Sequence, residues 1–418
     1  MTGINDCFAV GDRLISLEQA FALIAERIAP LTATETLPLR HCPGRVLAET
    51  VTAPFNQPPF TNAAMDGFAV RSADLAAGGA TRMPIVGRVA AGHPAPAGFA
   101  AGGAVEIFTG APMPAGFDTV TMIEDCRVED GQVTLPAGLA AGNFVHPVGE
   151  DFSTGDVLLE PGGRLRPQDL AMAATAGKGE LTVRRKLRVG VFSTGDEVVE
   201  PGQPLAPGQI YGGNRYGQMA VLEAWGFEVT DLGHLPDDPR ATREAFAKAA
   251  ESQHAVVTSG GVSLGGEDHV RAVVEQLGEL HLWRIALKPG KPVALGRIGA
   301  AAFVGLPGYP VSAIVTLLVV GRAVLHRLSG ATAMPPLPQA VLAPSGFSFS
   351  KDHRRRQFLR GSLETIDGRQ RVLAYPTQDS AVLSSLVRSG GLIDIGAEVT
   401  AIAPGDPIPY LSYESLLQ

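Results

Sequence analysis

LRVGVF (187–192), FEVTDLG (227–233), HAVVTS (254–259) and LHLWRIAL (280–287) are four short apolar runs, and helical patterns separate them. NRYGQMAVLEAW (214–225) reads as a helix with Asn214 as cap and Gly226 as stop. Asp238 and Pro239 cap and open a second helix, and a third runs from Glu267 to Leu277. Strands separated by helices of about ten residues specify right-handed crossovers and a largely parallel sheet. The stretch is predicted to be a doubly wound α/β domain.

Outward from this domain the pattern changes. SLEQAFALIAERIA (16–29) opens on a Ser cap and places Leu17, Ala20, Phe21, Ile24 and Ile28 on one face before Pro30 ends it. From about 31 to 184, apolar runs such as MPIVGRVAAG (83–92) and AVEIFTGAPMP (104–114) are cut by Pro and Gly, which predicts β structure. One short helix is expected over 167–176, begun by Pro167 and stopped by Gly177. After Pro335 short strands and Gly turns return, as in a small β domain or barrel.

A chain of 418 residues exceeds one ordinary core, so several folding units are expected. The net charge of −8 argues against coating nucleic acid or an anionic membrane, though it leaves room for a local basic pocket. Cys7, Cys42 and Cys126 fit neither a disulfide framework nor a Cys-rich metal site, which points to a reducing cytoplasm. The first residues carry acids and lack the layout of a signal peptide. The most apolar helical run, Val311 to Val320, falls short of the roughly 20 residues that span a bilayer and reads as a buried helix.

Ligands of an open parallel sheet bind beyond the carboxyl ends of its strands. There the sequence puts Glu197 after the first strand, Asp237 and Asp238 after the second, Asp268 after the third, and Lys288 and Lys291 of KPGKP after the fourth. Carboxylates with substrate phosphates hold Mg²⁺, and lysines neutralise oxyanions. The run Ser259-Gly260-Gly261-Val262-Ser263 lacks bulk where backbone N–H groups cradle an anion. Singly, each of these is an ordinary cap or turn residue; the whole set at one edge favours a site. The Gly-rich run matches neither a P-loop nor a dinucleotide fingerprint.

NAAMDGFAV (62–70), FTGAPMP (108–114), VGEDFSTGDVLL (148–159), FSTGDEVVEPGQPLAPGQIY (192–211), TSGGVSLGGEDHV (258–270), LKPGKPVALG (287–296) and GLPGYPVSA (305–313) together resemble the MoeA family and the related E domain of gephyrin. The resemblance implies an elongated homodimer with five segments. These are an N-terminal helical segment (1–29), a linking domain (30–52 and 154–184), an inserted β-rich domain (53–153), a molybdopterin-binding α/β domain (185–330) and a C-terminal β-barrel-like domain (331–418). It also implies Mg²⁺-dependent cleavage of adenylylated molybdopterin, with molybdate placed on the dithiolene and AMP released. Asp66, Thr109, Asp151, Glu197, Asp237, Asp268 and Lys288 match the family's catalytic positions, with Glu197, Asp237 and Asp268 toward the metal. Ser259, Gly260, Gly261, Ser263, Lys291, Ser312, Arg355 and Ser380 match its substrate-binding ones. The family's cleft is shared between subunits, with Asp66 and Asp151 outside the α/β domain, and a molybdopterin adenylyltransferase is its transient partner.

Four positions depart from better-known members: Arg284 and Arg271 stand for Lys, Phe68 for Tyr, and Tyr309 for Asn in GLPGNPVSA. The basic run KDHRRRQFLRG (351–361) reads equally as a solvated hairpin and as a source of oxyanion ligands. Competing readings are the adenylyltransferase activity, whose fold resembles 185–330 alone, a non-catalytic scaffold, and a tungstate-adapted paralogue.

Overall fold

A computed structural model describes residues 14–261, 269–290 and 292–418, apart from the side chains of 282–284 and 292. The α/β unit runs β1 (Arg188–Thr194), α1 (Asn214–Ala224), β2 (Glu228–Leu235), α2 (Pro239–Ser252), β3 (Ala255–Ser259), α3 (His269–Leu277), β4 (Gly278–Arg284), β5 (Pro292–Ile298), β6 (Ala301–Leu306) and α4 (Pro310–Leu328). The strand order is β2-β1-β3-β6-β5-β4. Side chains alternate between the two faces of the sheet. Val189 and Val191 of β1, with Val257 and Val304, join a core with Leu222, Trp225, Val311 and the N-terminal helix. Phe192, Val256 and Phe303 point the other way, onto Phe246 of α2 and Val270 of α3. Burial on both faces is why these strands read as continuous apolar runs.

LHLWRIAL lies within and just beyond β4, which begins two residues earlier at the sheet edge and runs in the same direction as β3 and β6; the unexpected element is its neighbour β5, antiparallel to both β4 and β6. A tight turn at Gly299, φ 56°, joins β5 to β6. Such a local hairpin replaces a further crossover, and a strand's own periodicity carries no sign of its neighbour's direction. Ile285 leaves the sheet to bridge Ile15, and Leu287–Lys288 pairs in parallel with Arg356–Gln357 of the C-terminal domain.

The helix α4 is longer than the run Val311–Val320. A π-helical turn over Leu317–Gly321 carries it on through Arg322 to Leu328, giving 19 residues, apolar enough by composition to cross a membrane but 89% buried inside the protein. It is the core helix of the α/β unit. Asn214 is a second correction: α1 begins at Asn214 itself after Gly213, with no side-chain cap. By contrast Asp238 caps α2, accepting from the amides of Arg240 and Ala241 ahead of Pro239. The N-terminal helix spans Leu17–Arg27 with a capping box between Ser16 and Gln19.

Two antiparallel ladders, Thr34–Pro38 with Glu180–Arg184 and Val51–Thr52 with Val157–Leu159, lead into and out of an inserted unit. Its six-stranded sheet holds Gly67–Val70 between Ala104–Ile107 and Thr119–Met122. Gly67 is obligatory there, since a Cβ would stand 1.8 Å from the Thr121 carbonyl oxygen. In the C-terminal unit Arg356–Ile366, Gly391–Ile395, Pro407–Ser412 and Val341–Pro344 pair in that order, and Arg369–Ala374 adds to the first. A bridge from Ser345 to Val372 closes the circuit into a small barrel around Leu359, Ile393 and Tyr410. Cys42 and Cys126 are free thiols, and Cys7 lies outside the described residues.

Candidate functional site

At the carboxyl edge of the sheet β1 ends on Ser193 and Thr194, and the chain turns at Gly195 with φ 126°. A Cβ on Gly195 would sit 2.3 Å from Glu197 Oε2, so only glycine lets this carboxylate fold back over the strand end. Glu197 is exposed, and among the described residues no donor takes its carboxylate. Asp196 and Asp237 exchange bonds: the Asp237 amide donates to Asp196 Oδ1 at 3.0 Å and the Asp196 amide to Asp237 Oδ2 at 3.2 Å. This clamp fixes the β1 and β2 ends against each other, and Asp237 Oδ1 takes no donor among the described residues. Asp238 is spent as a cap, and the amides it accepts hold its carboxyl below the ordinary range.

Beyond β3, Ser259 is buried, and Gly260 and Gly261 take left-handed φ of 92° and 66°, which L side chains rarely adopt. A cavity of 190 Å³ opens here, bordered by Thr194, Glu197, Asn214, Ser259, Gly260 and Gly308. Asn214 Nδ2 donates to the Gly308 carbonyl at 2.7 Å. The amide that sequence reading spent on a helix cap thus ties α1 to the turn between β6 and α4, and Asn214 belongs with the site. Asp196 is the other residue the sequence reading passed over; STGDE offered no way to choose between its two acids.

The fourth corner comes from two domains. The ladder that sets Lys288 opposite Gln357 brings the exposed Lys288 beside Arg355. Burial first, then the fields of Arg355, Lys288 and Lys351, depress the pKa of His353, so these cations converge. The basic run is not a solvated hairpin. Lys351 Nζ donates to the carbonyls of Arg355 and Gly396, both at 2.7 Å; Arg354 pairs with Glu398; Arg356 pairs with Asp394 and Glu18; Arg360 is buried against Ser385. Arg355 is left, and like Lys288 it has no acid partner among the described residues.

Gly290 folds this turn back onto α4. Its φ is 102°, and a Cβ would meet Thr316 Oγ1 at 2.0 Å. Gly290→Ala is expected to destabilise the protein by about 2–4 kcal/mol, from left-handed strain plus overpacking. Urea unfolding measures this, and a loss below about 1 kcal/mol would show the turn to be free of α4. At the start of α4 the Val311 amide donates to the Ser380 carbonyl at 3.1 Å, so the C-terminal unit delivers Ser380 next to the buried Ser312.

Asp66 and Thr109 lie together in the inserted unit. The amide and hydroxyl of Thr109 both donate to Asp66 Oδ1 at 2.7 Å, which keeps the exposed carboxylate ionised below its usual range. Asp151 is exposed in the same unit, its amide held by the Gln57 carbonyl at 2.9 Å. Ser263, Asp268 and Lys291 lie outside the described residues, as does the Arg284 side chain. Among the described residues no three-donor metal cluster forms. Of the departing positions, Tyr309 is 65% exposed at the start of α4, Phe68 is buried in the inserted sheet, and Arg271 pairs with Glu275 at 3.0 Å.

Comparison with known proteins follows the same division. Residues 15–177 match the MoeA N-terminal region (domain I and II), 190–327 a probable molybdopterin binding domain, and 343–413 the MoeA C-terminal region (domain IV). The chain is 37% identical over 406 residues to a molybdopterin molybdenumtransferase of Haemophilus influenzae, covering 97% of this chain and 100% of the relative. It is 37% identical over 412 residues to the enzyme of that name from Synechococcus elongatus, covering 94% and 98%. A molybdopterin biosynthesis MoeA protein from Pyrococcus horikoshii superposes with a TM-score of 0.81 at 28% identity, covering 96% of this chain and 100% of the other.

Proposed function

Because the chain belongs to the MoeA family of molybdopterin molybdenumtransferases, we propose that it completes the molybdenum cofactor, cleaving the phosphoanhydride of adenylylated molybdopterin, placing molybdate on the dithiolene and releasing AMP. The observation that carries this reading is the pairing of unneutralised cations with unclaimed carboxylates along one sheet edge. Lys288 and Arg355, drawn together by an interdomain ladder, offer a site for a small oxyanion. Glu197 and the free oxygen of Asp237 suit Mg²⁺, which commonly takes one or two carboxylates and completes its shell with water and substrate phosphates. Mg²⁺ there supplies positive charge against the phosphoanhydride oxygens.

The roles then divide by chemistry. The left-handed Gly260-Gly261 turn keeps side chains away from the anion, and Ser259 ends the strand that presents it. Ser312 lies in the first turn of α4, whose N-terminus favours negative charge, and Ser380 is carried to the same place. Asp66, oriented by Thr109, and Asp151 complete the cleft of the opposite subunit in a homodimer. The adenylate is delivered by transient contact with an adenylyltransferase, in the cytoplasm.

Purified protein incubated with adenylylated molybdopterin, Mg²⁺ and molybdate tests this, with AMP read by chromatography and cofactor by reconstitution of an apo-molybdoenzyme. AMP and active cofactor are expected to appear together. Formation of adenylylated molybdopterin from molybdopterin and ATP, without cofactor, would establish the adenylyltransferase reading instead. A parallel arm with tungstate reads the effect of Tyr309 at the start of α4.

A further inference from the structure

A second basic site lies at the opposite, amino-terminal edge of the sheet. There Gly44 to Val46 and Arg164 of the linking unit meet Arg184 to Leu187 and the turn Trp225 to Phe227, around a small cleft of 20 Å³ that opens to solvent. No acidic side chain borders it. Arg45 has a counterion in Glu35 at 2.5 Å. Arg164 donates to the main-chain oxygens of Gly44 and Gln418, and Arg184 to that of Thr32. The Gly44 and Thr32 carbonyls satisfy donors without cancelling charge, and Arg184 Nε has no partner among the described residues.

The floor of the cleft is His326. It is 4% exposed and stacks against Trp225 and Phe227 with centroids at 5.2 and 5.5 Å, yet its Nε2 has no partner. Behind it Arg322, 2% exposed, gives Nη1 to the Pro335 and Pro336 carbonyls and leaves Nε unpartnered. Burial pushes Arg322 down to about 10, and burial with the fields of Arg322 and Arg164 drives His326 well below its ordinary value. Unpaired like charges beside unsatisfied buried donors are costly unless an anion completes them.

We propose that this cleft binds a phosphate group, held by Arg164, Arg184, Arg185 and Lys186 over His326. The 20 Å³ interior admits about one water-sized oxygen. A phosphate therefore places at most one oxygen in the interior, beside the His326 ring, and leaves the rest among the basic side chains at the mouth. Its source is either inorganic phosphate or a phosphate monoester such as AMP. Because the cleft joins the linking unit to the α/β unit at the strands' amino ends, occupancy stiffens that joint without entering the candidate active site. The proposal is independent of the reaction assigned above.

Calorimetric titration of the full chain with inorganic phosphate in low-salt buffer tests it, beside Lys288→Ala, which removes a cation from the opposite edge. Arg185 and Lys186 are exposed, so Arg185→Gln/Lys186→Gln is expected to retain the unliganded Tm. Phosphate should still bind Lys288→Ala, and adding Arg185→Gln/Lys186→Gln to that variant should weaken the remaining binding about tenfold or more, as loss of charge-assisted bonds implies. Arg164→Gln should behave alike, and the His326 ¹⁵N resonances should move on phosphate addition. Competition by AMP in Lys288→Ala assigns the site to esters; failure to compete assigns it to the inorganic ion. Absence of binding at millimolar phosphate, or binding lost in Lys288→Ala and unchanged in the double variant, overturns the proposal.

Discussion

Glu197→Gln is expected to lower AMP release from adenylylated molybdopterin by about two to three orders of magnitude, the usual scale for losing a preorganised electrostatic group. The unfolding midpoint should not move. The carboxylate is exposed and accepts no bond among the described residues, while its position is set by Gly195 through the backbone. Gln preserves size and removes only charge, so the variant isolates what the carboxylate does to the phosphoanhydride and its Mg²⁺. Asp238→Ala is the contrast: the Arg240 and Ala241 amides of α2 lose their cap, so stability should fall by about 1 kcal/mol with turnover nearly intact. If Glu197→Gln turned over normally at limiting Mg²⁺, the carboxylate edge would have no part in the chemistry.

The contrast between these two acids also marks what the sequence discloses. Asp238 precedes Pro239 and a helical pattern, so its role as cap follows from local backbone chemistry. Asn214 stands in nearly the same kind of place and does something else: it is the first residue of α1, after Gly213, and its Nδ2 donates to the carbonyl of Gly308, nearly a hundred residues away. The runs that form β1 and β3 were legible as strands because both sheet faces are buried there. The direction of β5 was not, since antiparallel and parallel neighbours ask the same of a buried strand.

The site divides in the same way. Positive φ at Gly260, Gly261 and Gly290 follows from glycines placed where a side chain would be strained or would collide. The convergence of Lys288 with Arg355, and of Ser312 with Ser380, depends on a β ladder and one amide bond between domains. No local spacing encodes either contact; only the family resemblance pointed to them. The basic run around Arg355 shows why: Arg354, Arg356 and Arg360 look equivalent in sequence, and their different fates are fixed by Glu398, Asp394 with Glu18, and Ser385.

Mixed dimers of Asp66→Ala and Lys288→Ala chains should recover about a quarter of wild-type activity, although each variant alone is nearly inactive. The argument is one of symmetry. In a two-fold dimer whose clefts each take Asp66 from one chain and Lys288 from the other, a hybrid holds one cleft with both defects and one with neither. Random reassociation makes about half the dimers hybrid, and half of their clefts are intact. The premise is that the two residues serve different clefts of their own chains. Asp66 is bound by Thr109 within the inserted unit, and Lys288 is built into the joint between the α/β and C-terminal units. Both side chains are exposed, so neither alanine should unfold its domain. Two affinity tags on co-expressed chains allow the hybrid to be purified, and its activity should then approach about half of wild type. A purified hybrid as inactive as its parents would mean that each chain builds its cleft alone, and Asp66 would then have to reach Lys288 within one subunit.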